Sequence, residues 1–273
     1  MCEAVEVSRA GYYRFVGDEL MDDPDVEMRD LIQKIALGMP AYGYRRVVAE
    51  LKRQGEVVNH KRVRRIMRED NLLCLRRRSF VRTTDSGHGL MVYPNLAREM
   101  VLTRINQLWV ADITYIRLLW EFIYLAVILD AFSRKVIGWE LGHTMEAELT
   151  LAALRKALST RRIERDLVHH SDRGVQYASI EYTNLLKANG IQISMSRRGN
   201  PYDNAQAESF IKTLKYEEVY RSDYQDEHEA RREIARFLEK VYNEKRLHSA
   251  LSYVPPAEFE RSLLKPKIAE ART

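Results

Sequence analysis

The stretch "QLWVADITYIRL", residues 107–118, decides how this chain is read. It is dominated by Val, Ile, Trp and Tyr, the composition of a strand. One acid, Asp112, stands inside it between Ala111 and Ile113. A charge at such a place is costly unless it is paired or bound to a cation. The next two runs, "EFIYLAVILDAF" (121–132) and "KVIGWELG" (135–142), share that composition and are separated only by short turns. Together the three predict an antiparallel meander.

Beyond residue 143 the apolar spacing becomes helical. A helix is expected over 144–160 with Thr144 as its cap, then a strand at "DLVHHS" (166–171) and a helix at 179–190 closed by Gly190. A short strand "IQISMS" (191–196) follows. Two further helices are expected, at 204–220 and from Glu227 to Glu244, with a loose polar tail after Pro255 and Pro256. Three strands, helix, strand, helix, strand and helices is the order of a ribonuclease-H-like α/β fold, a mixed five-stranded sheet flanked by helices.

The charge is unevenly spread. The formal net charge is +5, yet residues 1–32 hold three basic and nine acidic side chains, whereas residues 43–83 hold thirteen basic and four acidic ones. A basic block of this density is a footprint for a polyanion, and nucleic acid is the expected partner. Within it, Val47, Val48 and Leu51 fall at helical spacing, as do Val63, Ile66 and Met67, with Gly55 and the cap candidate Asn59 between them. Helix, short turn and basic helix make a helix-turn-helix, whose second helix presents Lys61, Arg62, Arg64, Arg65 and Arg68 to DNA. The chain therefore divides into an N-terminal helical segment (1–40), an all-α helix-turn-helix domain (41–83), a linker (84–103), an α/β core (104–222) and a C-terminal helix and tail (223–273).

Other classes are excluded by composition. No apolar run approaches the roughly 18 residues needed to span a bilayer, and the acidic N-terminus is unlike a signal peptide. Two cysteines, Cys2 and Cys74, make neither a disulfide scaffold nor a cysteine zinc module. A cytoplasmic, nucleoid-associated protein is the expectation.

The acids carry the chemistry. Asp172 leaves the fourth strand at the carboxyl end of the sheet, where ligand sites gather. Glu208 lies one turn into the helix that this fold packs across the first and fourth strands. With Asp112 they would form a cluster of three carboxylates that cannot all ionise without cations. Oxygen ligation selects Mg²⁺ or Mn²⁺, and two such ions suit phosphodiester chemistry. Asn204, Glu208, Lys212 and Lys215 fall within about 40° of one another around the helix, so the two lysines could hold DNA beside the acids.

The motifs "WVADITYI", "ILDAFSRKVIGW", "HHSDRGVQYAS", "SRRGNPYDNAQAESFIKTLK" and "VYNEKRLHSALSYVPP" resemble the second-frame transposase of the IS3-type insertion sequences, within the DDE integrase superfamily. "AYGYRRVVAEL" and "KRVRRIMREDNL" resemble its helix-turn-helix segment, so the resemblance spans about residues 7–260. It implies that Asp112, Asp172 and Glu208 are the catalytic, metal-binding triad. It also implies that Asn204 and Lys215 flank that triad, and that Tyr242, Asn243, Arg246 and His248 form a closing motif with structural or DNA contacts. Its further implications are double-stranded DNA as substrate and a homo-oligomer on that DNA. An upstream-frame partner carrying a leucine zipper and a circular copy-out intermediate also follow from it. Two rivals stand beside this reading, a non-catalytic DNA-binding regulator and a ribonuclease-H-like nuclease. His169 and His170, neighbours of Asp172, lack a second ligand pair at zinc spacing, and Ser171 lacks an elbow motif.

Overall fold

The computed structural model describes Ser8 and residues 24–73, 91–163, 166–197 and 201–264. The basic run at 74–82, the first part of the expected linker (84–90), the loop 198–200 and the tail after 264 lie outside the described residues. The chain divides into two compact units, Met1–Arg78 and Ser79–Thr273.

Among the described residues the first unit holds three helices, α1 (Val26–Gly38), α2 (Tyr44–Arg53) and α3 (His60–Glu69). Ile32, Val47, Leu51, Val63, Ile66 and Met67 are wholly buried and form its core. Each such side chain contributes about 1.5–3 kcal/mol by leaving water. Gly55 takes φ +95° at the turn, a conformation few other residues accept. Asn59 caps α3, its side chain accepting from the Lys61 backbone N–H at 2.9 Å.

In the second unit, β1 (Leu108–Arg117), β2 (Phe122–Asp130) and β3 (Val136–Gly142) form the expected meander. Helix α4 (Ala147–Thr160) leads to β4 (Val168–Ser171), which joins β1 in parallel. The short α5 (Val175–Ala178) and α6 (Ile180–Ala188) lead to β5 (Gln192–Met195), parallel to β4. The sheet order is β3-β2-β1-β4-β5. Alternation along β1 sends Leu108, Val110 and Ile116 toward α7 (Ala205–Glu217) and α8 (Glu227–Arg236). Trp109 and Ala111 face α4 and α6 instead, so the sheet is covered on both sides.

Three expectations need correction. Helix α4 starts at Ala147, not at a Thr144 cap, because Gln176 Nε2 donates to the Met145 carbonyl (2.6 Å) and Glu146 stays extended. The last expected helix is α-helical only to Arg236. It continues as a π-helical turn over Phe237–Tyr242, with Phe237, Leu238 and Tyr242 buried. The tail after Pro255 is not loose. It forms α9 (Pro256–Leu264), fastened where Glu260 accepts from Ser133 Oγ (2.6 Å), Arg161 Nη2 (2.7 Å) and Lys135 Nζ (3.0 Å). Residues 91–103 also pack on the core: Ser194 Oγ accepts from the Leu96 N–H at 2.8 Å, and Ala97, Met100 and Leu102 lie against its apolar cluster.

Candidate active site and nucleic-acid interface

Asp112 sits midway along β1, opposite Val127 of β2, beyond the point where β4 stops pairing with β1. Its Oδ1 accepts from the Ile113 N–H at 2.8 Å. Burial raises its pKa to about 8, aided by the negative charges of Asp172 and Glu208, while the Ile113 N–H and Lys215 oppose the shift. Asp172 and Glu208 thus both act on the electrostatics of Asp112.

Asp172 follows β4 directly and folds back so that its Oδ1 accepts from the Gly174 N–H at 2.9 Å. A β-carbon at position 174 would stand 3.0 Å from that oxygen, so the glycine keeps the carboxylate uncrowded. Arg173 Nε donates to the Ser196 carbonyl at 2.7 Å, tying this turn to the end of β5. Both histidines belong to β4, His170 included, and both are buried. His169 Nε2 lies 2.9 Å from Tyr182 Oη, and His170 pairs with Ser194 Oγ (2.7 Å) and Ser196 Oγ (3.1 Å). Burial lowers the pKa of His169 to about 3, so it stays neutral and structural.

Glu208 is carried by α7, whose Phe210 and Leu214 anchor it in the core. Asn204 stands at the start of that helix. It is buried rather than presented beside Glu208: its Nδ2 donates to the Ala111 carbonyl (3.0 Å) while its Oδ1 has no partner. The amide thereby pins α7 to β1 one residue from Asp112. Lys212 is exposed, whereas Lys215 is partly buried with its Nζ 3.9 Å from the Tyr115 ring centroid. Tyr115 meets Phe122 edge-on at 5.6 Å, an aromatic contact the sequence pattern did not disclose.

Among the described residues, no three His, Cys, Asp or Glu side chains are gathered closely enough to hold a metal ion. The donor set still suits a hard divalent cation. It is all oxygen, and it contains an acid whose pKa is raised by burial first and then by the negative charges of Asp172 and Glu208, which a cation would relieve.

The basic helix α3 is only partly available to DNA. Arg62 Nε donates to Asp25 Oδ1 at 2.6 Å, and Arg65 pairs with Asp25 Oδ2 and with Glu69. Arg64 lies 5.9 Å over the Tyr44 ring, while Lys61 and Arg68 are exposed. The acidic N-terminal segment therefore supplies counterions to its own helix-turn-helix, a role its sequence gave no sign of. Arg246 is a correction: it is 5% exposed, so its guanidinium is not offered to DNA. Its Nε and Nη2 donate to the two carboxylate oxygens of Glu217 at 2.8 and 2.7 Å. His248 packs edge-on against Tyr242 at 4.9 Å, and Asn243 pairs through its side-chain amide with both backbone groups of Val136 at 3.0 Å. The closing motif braces the edge strand and α7.

A sheet of this order with acids on β1, after β4 and on the crossing helix defines an integrase-type core. The family described as an integrase core domain matches residues 103–201, with a second match of that description at 189–256, and an HTH-like domain matches residues 23–80. The chain is 39% identical over 263 residues to an uncharacterized 31 kDa protein of insertion element IS600 from Shigella sonnei, covering 95% of this chain and 97% of that one. It is 34% identical over 270 residues to the transposase InsF of IS3A from Escherichia coli, covering 97% and 94%. The chain belongs to the DDE transposases of the IS3 insertion-sequence family. In fold it is similar to a chain of the simian T-cell lymphotropic virus intasome in complex with PP2A regulatory subunit B56 gamma. That match has a TM-score of 0.50 and 15% identity, and it covers 89% of this chain and 78% of that one. Among the described residues no helix is long and apolar enough to cross a membrane.

Proposed function

We propose that this protein cleaves and joins DNA strands at the ends of its insertion element, with Asp112, Asp172 and Glu208 as the catalytic carboxylates. The observation that carries this reading is the half-buried Asp112 within β1, whose pKa desolvation raises to about 8 with help from the charges of Asp172 and Glu208. These three residues would hold Mg²⁺ or Mn²⁺, two ions on the sequence reading. When bound, such ions lower the pKa of an attacking hydroxyl and offset charge on the leaving oxygen.

In the first step water attacks a phosphodiester at the element end. The phosphorus–oxygen bond to the 3′ carbon's oxygen breaks, leaving a 3′-hydroxyl and a 5′-phosphate. In the second, that 3′-hydroxyl attacks a target phosphodiester and displaces a 3′-oxygen, so the number of phosphodiester bonds is conserved. Asp112 within β1 and Asp172 just past β4 would hold the cation against the core, and Glu208 would complete its ligand set from α7. Lys212 and Lys215 hold adjacent phosphates, while Lys61, Arg64 and Arg68 of α3, together with Arg62 and Arg65 when phosphate displaces Asp25, grip the flanking duplex. His248 is left with a minor DNA contact at most. The protein acts in the bacterial cytoplasm at the nucleoid, as a homo-oligomer on DNA and with an upstream-frame partner. In this reading 41–83 is the helix-turn-helix domain and 104–222 the catalytic core, with residues 91–103 packed on that core.

The test is incubation of the full chain with labelled duplex carrying the element end, with and without Mg²⁺ or Mn²⁺, beside Asp172→Asn. Metal-dependent nicking or joining that vanishes in the variant supports the proposal. Equal cleavage of an RNA–DNA hybrid, or chemistry that survives in Asp172→Asn, rejects it. In the same assay Asn204→Ala, which frees α7 from Ala111, is expected to lower cleavage by about 10- to 100-fold. Its cost in stability should be only about 1 kcal/mol. Unchanged cleavage would show that this amide does not place Glu208.

A further inference from the structure

The turn launched by Asp172 carries a second polar group that the proposed chemistry does not use. Tyr177 lies in α5, its N–H donating to the Gly174 carbonyl at 3.1 Å, so it belongs to the same turn as the Asp172 carboxylate. Its side chain is 2% exposed and packs in the apolar cluster beneath α4 and α6 that contains Trp109 and Ala111 of β1. The ring is held edge-on by Tyr182 at 5.4 Å and lies 6.3 Å from the His169 ring. Tyr182 satisfies its own hydroxyl on His169, but the Tyr177 hydroxyl is buried with no hydrogen-bond partner among the described residues.

A buried hydroxyl without a partner is costly, and it persists where some other state of the protein uses it. Burial, with the charges of Tyr182, Asp112 and Asp172, pushes its pKa far up. It therefore remains an O–H and can donate to an anion. The anions nearest in electrostatic terms are the two carboxylates.

We infer that the Tyr177 hydroxyl is a positioning donor for the Asp112–Asp172 carboxylate pair, engaged when a divalent cation is bound. The inference rests on the reading of those acids as a metal site. Outer-shell donors of this kind orient carboxylate ligands, and their loss typically lowers metal affinity about 10- to 100-fold. Removing the hydroxyl should leave the metal-free fold intact, since it makes no hydrogen bond there.

The experiment uses the full chain and Mn²⁺ alone, with free Mn²⁺ read by electron paramagnetic resonance and melting followed in parallel. Tyr177→Phe is expected to melt no lower than the parent and to bind Mn²⁺ about tenfold more weakly. Tyr182→Phe, which also loses one buried hydroxyl but not one directed at the acids, is expected to keep the parent affinity. Parent-like Mn²⁺ binding by Tyr177→Phe overturns the inference, as does an equal loss in Tyr182→Phe, which would assign the effect to packing. If the parent and Asp172→Asn bind Mn²⁺ equally, the metal-site reading itself fails and this inference with it. That result is distinct from a failure confined to Tyr177→Phe.

Discussion

Asp112→Asn is expected to abolish strand cleavage, by about a thousandfold or more, and at the same time to make the metal-free protein more stable. In the folded protein Asp112 has its pKa raised to about 8, by burial first and then by Asp172 and Glu208. In the unfolded chain a carboxyl of this type titrates near 3.9. Between those values the folded state binds a proton that the unfolded state releases. The stability associated with Asp112 is therefore full below about pH 4 and is lost as pH rises toward 8. Asparagine has the same shape and no proton to lose. With allowance for solvent and relaxation around a side chain that is not wholly enclosed, the variant should gain on the order of 2 kcal/mol at pH 7. For a unit of this size that is a rise in Tm of about 4–8 °C. Melting both proteins in chelator from pH 5 to pH 8 checks this: the gap should widen with pH. A constant gap, or a variant that melts lower at pH 8, would show that Asp112 is not an acid held protonated by its surroundings. Mg²⁺ should stabilise the parent and leave the variant nearly unmoved.

The second large effect is on folding. Arg246→Ala leaves Glu217 without the guanidinium that pairs both its oxygens, in a place where the two side chains are only 6% and 11% exposed. Breaking a buried pair from one side costs about 3–5 kcal/mol because the remaining charge is uncompensated. Glu217 ends α7, and Arg246 also lies over the Tyr242 ring at 5.8 Å, so the loss should loosen the helix that carries Glu208. A fall in Tm of about 10 °C is expected, with most of it recovered when Glu217→Gln and Arg246→Met are combined. The affinity of the folded variant for DNA should be unchanged. A weakened DNA complex without a change in melting would return Arg246 to the nucleic-acid interface.

The two residues differ in how far the sequence disclosed them. Asp112 declared itself because an acid interrupts a run whose neighbours are all apolar, and the cost of burying it demands an explanation. Arg246 was placed among structural or DNA contacts by the family resemblance alone, which does not tell a brace from a contact. Its partner is 29 residues away on another helix. The ion pairs of Arg62 and Arg65 were equally hidden: their counterion, Asp25, precedes them by 37 and 40 residues. No local pattern encodes such pairings.

The sequence by itself determined the order of strands and helices, the mixed sheet, the three-helix basic unit and the elements on which the acids ride. These follow from backbone periodicity and from the cost of exposing apolar faces, which act over a few residues at a time. Only the tertiary structure decided which cations remain available to a polyanion and which are held by acids of the same chain. It alone decided that Asp112 keeps its proton, that Asn204 braces a helix, and that Tyr177 holds an unused hydroxyl. Those outcomes depend on Coulomb forces, desolvation and hydrogen bonds that reach only a few ångströms. They depend on which distant segments the fold brings within that reach.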